Sequence, residues 1–124
     1  MMKGMMKGGQ NTRGVHGKSA EDLAVEFLQR QGIKVIARNV RSRYGEIDII
    51  AQEDDTLLFV EVRLRQSASF GGAAASITVA KQKRLHTAAS LYLSERADQP
   101  PCRFDAILLS ALEVNQIVWL RDIF

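Results

Sequence analysis

The chain has 124 residues, a formal net charge of +3, 46% hydrophobic residues and one cysteine. That length supports a single domain with its own core, the lone Cys102 excludes an internal disulfide and fits a reducing cytoplasm, and no apolar run nears the roughly 18 residues of a membrane span. Lys3, Lys7 and Arg13 supply the whole positive excess, so the remainder is neutral and unlike a strongly basic DNA-coating domain.

Residues 1–16 are Gly-rich and polar, lack the apolar stretch of a secretory signal, and read as a disordered basic tail; 17–124 read as one domain. A first helix is expected over 19–31. Ser19 and Asp22 have capping-box spacing, Ala20, Leu23, Ala24, Phe27 and Leu28 form the apolar stripe, and Gly32 ends it. Glu21 lies at the edge of that stripe, where a first-turn acid favours the helix dipole. Ile33 to Val40 reads as a strand, followed by Arg38, Arg41 and Arg43, with Asn39 among them. These arginines suit phosphate oxygens, and equally a solvated loop in which they pair with Glu46 and Asp48.

Tyr44 to Ala51 and Leu57 to Arg65 are rich in branched and aromatic residues, and Glu53 to Thr56 is a turn signal, so the pair reads as a β-hairpin. Its paired residues have numbers that sum to 109: Ile50 faces Phe59, Asp48 faces Glu61 and Glu46 faces Arg63. Strand alternation then gives one apolar face, with Ile47, Ile49, Ala51, Leu58, Val60 and Val62, and one charged face. Opposed like charges destabilise a sheet, so Asp48 and Glu61 need a cation: Arg63, another basic residue, or a divalent metal with its preference for hard oxygen ligands. Two acids at a solvated sheet end, neutralised by arginines, satisfy the pattern as well.

Gln66 to Ser76 reads as a small-residue loop. Thr78 caps a second helix running to about Ala97, with Leu85, Ala88, Ala89, Tyr92 and Leu93 buried. Lys81, Lys83 and Arg84 cluster in its first turns against the helix dipole, a placement that suggests phosphate binding, and Lys81 leans toward the core side. His86 reads as a surface residue and Trp119 as core. Two strands, Phe104 to Ser110 and Gln116 to Leu120, surround a turn at Glu113 to Asn115, and Asp105 pairs most simply with Arg103. The order α-β-β-β-α-β-β implies an α/β fold, a mixed sheet flanked by helices.

Asp48 followed by Glu61-Val62-Arg63 resembles the D…(D/E)-x-K signature of restriction-endonuclease-like nucleases. The wider series is more specific: Gly17, Glu21 and Ala24; Arg38-Asn-Val-Arg41; Gly45 to Ala51; Phe59 to Arg63; Lys81, Arg84 and Leu85; Tyr92-Leu93; Arg103-Phe-Asp105. Over about residues 14–124 it is similar to the YraN-like family of small bacterial proteins, described as uncharacterised or as predicted endonucleases related to archaeal Holliday-junction resolvases. The resemblance implies a restriction-endonuclease-like fold and Mg²⁺- or Mn²⁺-dependent hydrolysis of phosphodiester bonds in branched, damaged or double-stranded DNA, by a cytoplasmic protein that forms a homodimer.

The same resemblance makes Asp48, Glu61 and the Val62 carbonyl the metal ligands, with Glu21 completing the site and Glu46 a weaker candidate. Arg38, Arg41, Arg43, Arg65, Lys81, Lys83 and Arg84 are the cations available to DNA. The family usually carries Lys where this chain has Arg63. An arginine supplies charge and phosphate contacts but stays protonated, so two readings stand: a nuclease in which Lys81 shares the lysine's role, and a nucleic-acid-binding protein of the same fold without turnover. A purely structural module, its acids paired with arginines, is the third.

Overall fold

The computed structural model describes residues 19–64, 77–110 and 117–124. The expectations for the tail, for Arg65, for the loop from Gln66 to Ser76 and for the turn from Glu113 to Asn115 lie outside these residues. Helix α1 spans Ala20–Arg30 and starts as its sequence dictates: Asp22 N donates to Ser19 Oγ at 3.2 Å and Ser19 N to Asp22 Oδ2 at 3.3 Å, a complete capping box. At its end Gly32 takes φ +82°, and Gly32 N and Ile33 N donate to Gln29 O and Leu28 O, both at 3.0 Å. This is a Schellman stop, and glycine reaches that backbone conformation without a Cβ clash.

Five strands follow: β1 (Lys34–Ser42), β2 (Gly45–Glu53), β3 (Thr56–Leu64), β4 (Cys102–Leu109) and β5 (Ile117–Leu120), with helix α2 (Val79–Ser94) between β3 and β4. They form one sheet in the order β1-β2-β3-β4-β5, antiparallel except for the parallel β3–β4 pair. Parallel neighbours need a crossover, and α2 lies within it, capped by Thr78 as expected and ending three residues short of Ala97. The mixed α/β architecture and the order α-β-β-β-α-β-β are those read from the sequence. Among the described residues no helix is long and apolar enough to cross a membrane.

The β2–β3 hairpin keeps the expected register from Glu53↔Thr56 to Ile49↔Val60, around a two-residue turn at Asp54 and Asp55. Two expectations fail beyond that. The ladder stops at Ile49, so Glu46 does not face Arg63; Glu46 pairs with Arg41 on β1 instead. Nor is one face apolar and the other charged. Ile49, Ala51, Leu58 and Val60 pack with Leu23, Ala24 and Leu28 of α1, while Ile50, Leu57 and Phe59 pack with Ala88 and Ala89 of α2. A helix covers each face, so the central strands are apolar on both.

Ile47 belongs to the α2 side although Ile49 faces α1, so alternation breaks at Asp48. The break is shared across the ladder. Ala37 and Val40 on β1 also lie three residues apart on the α2 side, and Asn39 between them has φ +52°. Asparagine tolerates this left-handed conformation better than most residues. Asn39 and Asp48 thus stand together where the two strands change faces.

Candidate active site

Where the β2–β3 ladder opens, the backbone N–H of Val62 would lose its strand partner. It donates instead to Asp48 Oδ2 at 2.9 Å, which satisfies the buried donor and fixes the carboxyl between the strands. Asp48 therefore reaches both sides of the sheet. On the α1 side it lines an open cleft of about 580 Å³ with Glu21, Asp22, Arg38, Asn39, Val62 and Leu64. On the α2 side it meets Glu61.

Glu61 is 1% exposed. Its Oε2 atom lies 2.7 Å from Arg63 Nη2 and 3.2 Å from Lys81 Nζ. These ion pairs are not aligned as hydrogen bonds, and among the described residues no donor is directed at either Glu61 oxygen. Burial first, and then the Glu61 charge, push Asp48 up to about 7 against the hydrogen bond from Val62. When protonated, Asp48 can donate to Glu61. The sequence expectation that Asp48 and Glu61 adjoin therefore holds spatially, although the two residues are not ladder partners.

Glu21 lies across the cleft, held by β1. Arg38 Nε and Asn39 Nδ2 donate to its Oε1 at 2.9 and 3.0 Å, and a second Arg38 nitrogen approaches at 2.7 Å. Arg38 also bonds Asp22 at 2.6 Å. Burial raises the pKa of Asp22, but hydrogen bonds from Arg38 and Ser19 outweigh it and hold the carboxyl below its ordinary value. Arg38 is thus engaged with α1, not with Asp48 or Glu46. Among the described residues, no three His, Cys, Asp or Glu side chains converge closely enough to hold a metal together. The converging set is the pair Asp48 and Glu61, with Glu21 facing them.

The remaining basic candidates gather at the same end of the sheet. Arg41 is 79% exposed and lies 3.9 Å from Glu46, and Arg43 sits over the Tyr44 ring at 5.2 Å. Lys83 and Arg84 are exposed on α2. Gly45 joins the two groups: at φ +151° it lies against α2, where an added Cβ would stand in ordinary contact with Arg84 Cβ, at 3.5 Å. Lys81 leans toward the core side as its spacing suggests. His86 is exposed, its ring 4.4 Å from Phe104 and 5.6 Å from Phe124.

Asp105 is a separate hub. Fully buried, it accepts from Arg103 twice at 2.9 Å, from Trp119 Nε1 at 2.9 Å and from Asp122 N at 3.0 Å, tying β4 to β5 and the following residues. Trp119 is half-buried and meets Phe27 edge-on at 6.0 Å. Asn39 is the site residue whose role the sequence reading passed over. Its signal was an asparagine inside a strand pattern, a residue type that favours turns and left-handed backbone.

Comparison with known proteins finds relatives over most of the chain. The sequence model of the uncharacterised protein family UPF0102 matches residues 20–109. A UPF0102 protein from Nitrosomonas europaea is 51% identical over 114 residues, covering 92% of this chain and 97% of that protein. One from Methylobacillus flagellatus is 51% identical over 108 residues, covering 87% and 95%. Another, from Cupriavidus taiwanensis, is 46% identical over 125 residues, covering 100% and 93%.

Proposed function

Because the chain belongs to the uncharacterised family UPF0102, whose matched span holds Asp48, Glu61 and Glu21, we propose that it is a metal-dependent DNA endonuclease. The YraN-like resemblance read from the sequence designates this same family. The observation that carries the proposal is the Asp48–Glu61 pair, a half-buried carboxyl lining a cleft beside a fully buried one, both at the basic end of the sheet. Two like carboxyls in contact lose stability unless a cation or a proton comes between them. Their hard oxygens suit Mg²⁺ or Mn²⁺, and Mg²⁺ commonly takes one or two carboxylates with water and phosphate completing its shell.

Asp48 and Glu61 would hold the metal, with Val62 fixing Asp48 through its N–H; Glu21 would join after release from Arg38. Such an ion lowers the pKa of its water and offsets charge on the phosphate. Arg63 contributes positive charge and takes no proton from water. Arg41, Arg43, Lys83 and Arg84 supply contacts to the DNA backbone. A homodimer acting on branched or damaged DNA belongs to the same proposal.

A DNA-binding protein without turnover is the second reading, favoured by one observation: Arg63 and Lys81 are both already engaged with Glu61. Nicking of supercoiled plasmid and of a labelled four-way junction in Mg²⁺ or Mn²⁺ decides between them. Wild type should cleave and Asp48→Ala should not. Cleavage by Arg63→Lys alone would mean a site disabled by one substitution. Retained DNA binding with no cleavage by wild type or either variant would sink the nuclease reading.

A further inference from the structure

Two cations share one oxygen of Glu61, and they reach it differently. Arg63 comes from the same strand and approaches to 2.7 Å with a planar fork. Lys81 comes from the first turn of α2 and stands farther off, at 3.2 Å. Its backbone position is fixed: Lys81 N donates to Thr78 Oγ1 at 3.1 Å, and one turn further along α2 Arg84 lies against Gly45 of β2. A lysine in a first turn opposes the helix dipole, and this turn holds no acid to offset it. The partner that compensates is Glu61, on another element. An ammonium on a flexible four-carbon stem is also the more mobile of the two groups.

We propose that Lys81 is a displaceable counterion. It occupies Glu61 while no divalent cation is bound, and it moves to the substrate's phosphate when a divalent cation takes that oxygen. This rests on the metal-dependent reading above. A divalent ion and an ammonium compete for one carboxylate oxygen, and two cations a few ångströms apart in a partly buried site repel. Both side chains are about equally exposed, at 28% and 27%; Arg63 stays on Glu61, while the longer contact, made by the more flexible Lys81, is the one that yields. Once free, its ammonium is available to a phosphate that reaches the Asp48–Glu61 pair, so metal and substrate are coupled through a single side chain.

The test is a calorimetric Mn²⁺ titration of the full-length protein, run beside plasmid nicking. Lys81→Met should bind Mn²⁺ about tenfold more tightly than wild type, an ordinary size for coupled binding, and should nick at least about tenfold more slowly. A lysine that only supported the fold would weaken both when removed. Lys34→Met, exposed at the far end of β1, should change neither. Should Lys81→Met not fold, Lys81→Gln takes its place, and wild type with ¹³C-labelled lysine gives an independent reading: Mg²⁺ should shift the Lys81 Cε resonance. Metal affinity unchanged or weaker without Lys81, or an unmoved Cε signal, overturns the counterion role. Tighter metal binding with undiminished nicking overturns the transfer to phosphate. Wild type that binds no Mn²⁺ overturns the nuclease reading and this inference together, whereas binding without the Lys81 effect overturns this inference alone.

Discussion

Asp48 sits where burial and a second carboxyl both resist its charge, and its pKa stands at about 7 against an ordinary value of 3.8. Between those values the folded chain holds a proton that the unfolded chain has released. The folded state binds more protons there, so stability falls as pH rises from about 3.8 to about 7 and levels off above. Asp22, held below its ordinary value of 3.8, acts with the opposite sign at lower pH. Urea unfolding at intervals from pH 4 to 8 should show this decline in wild type, and Asp48→Asn should flatten it. A metal ligand must also be deprotonated. Mn²⁺ affinity should therefore climb as pH rises through about 7 and then level off. An affinity flat from pH 5 to 8 would show that the metal does not contact Asp48.

At the scale of elements, one glycine stands where β2 meets α2. Gly45 takes φ +151° where it meets Arg84, and a side chain in that backbone region costs about 1–3 kcal/mol. Gly45→Ala should lower the unfolding free energy by about that amount and should not weaken Mn²⁺ binding, because the Lys81 that α2 carries onto Glu61 competes with the metal. Gly32, at φ +82° with open space around it, gives the contrast. Gly32→Ala should cost about 1 kcal/mol and leave metal binding unchanged. What the sequence disclosed divides along the same line. The caps at Ser19 and Thr78 were legible because each needs only a residue three positions away. The hairpin register was legible because its turn determines it. The change of face at Asn39 and Asp48 was not, since it arises from α1 and α2 packing on opposite sides of the same strands. Nor was the engagement of Arg38 with Glu21, whose residues are seventeen apart and meet only after α1 has docked.

Across the whole molecule the charge balance conceals a polarity. Outside the first thirteen residues basic and acidic residues cancel, yet they are not mixed evenly. The hairpin turn carries Glu53, Asp54 and Asp55, while Arg41, Arg43, Lys83 and Arg84 collect at the opposite end, beside the acidic pair. Each phosphate neutralised by a basic side chain contributes about 0.9 to the slope of log affinity against log salt. A domain that docks duplex DNA by one end should therefore show a slope that its net charge does not suggest. Arg43→Ala and Lys83→Ala should each reduce the slope by about 1, measured by fluorescence anisotropy on a labelled duplex with metal omitted. The pair Asp54→Asn and Asp55→Asn raises the net charge by two, the same size of change as losing Arg43 and Lys83 but of opposite sign and at the other end, and should leave the slope where it was. Equal responses from both ends would mean that DNA meets the chain through net charge alone. A response confined to Arg43 and Lys83 would place the backbone of the duplex along the Gly45–Arg84 contact, within reach of Asp48.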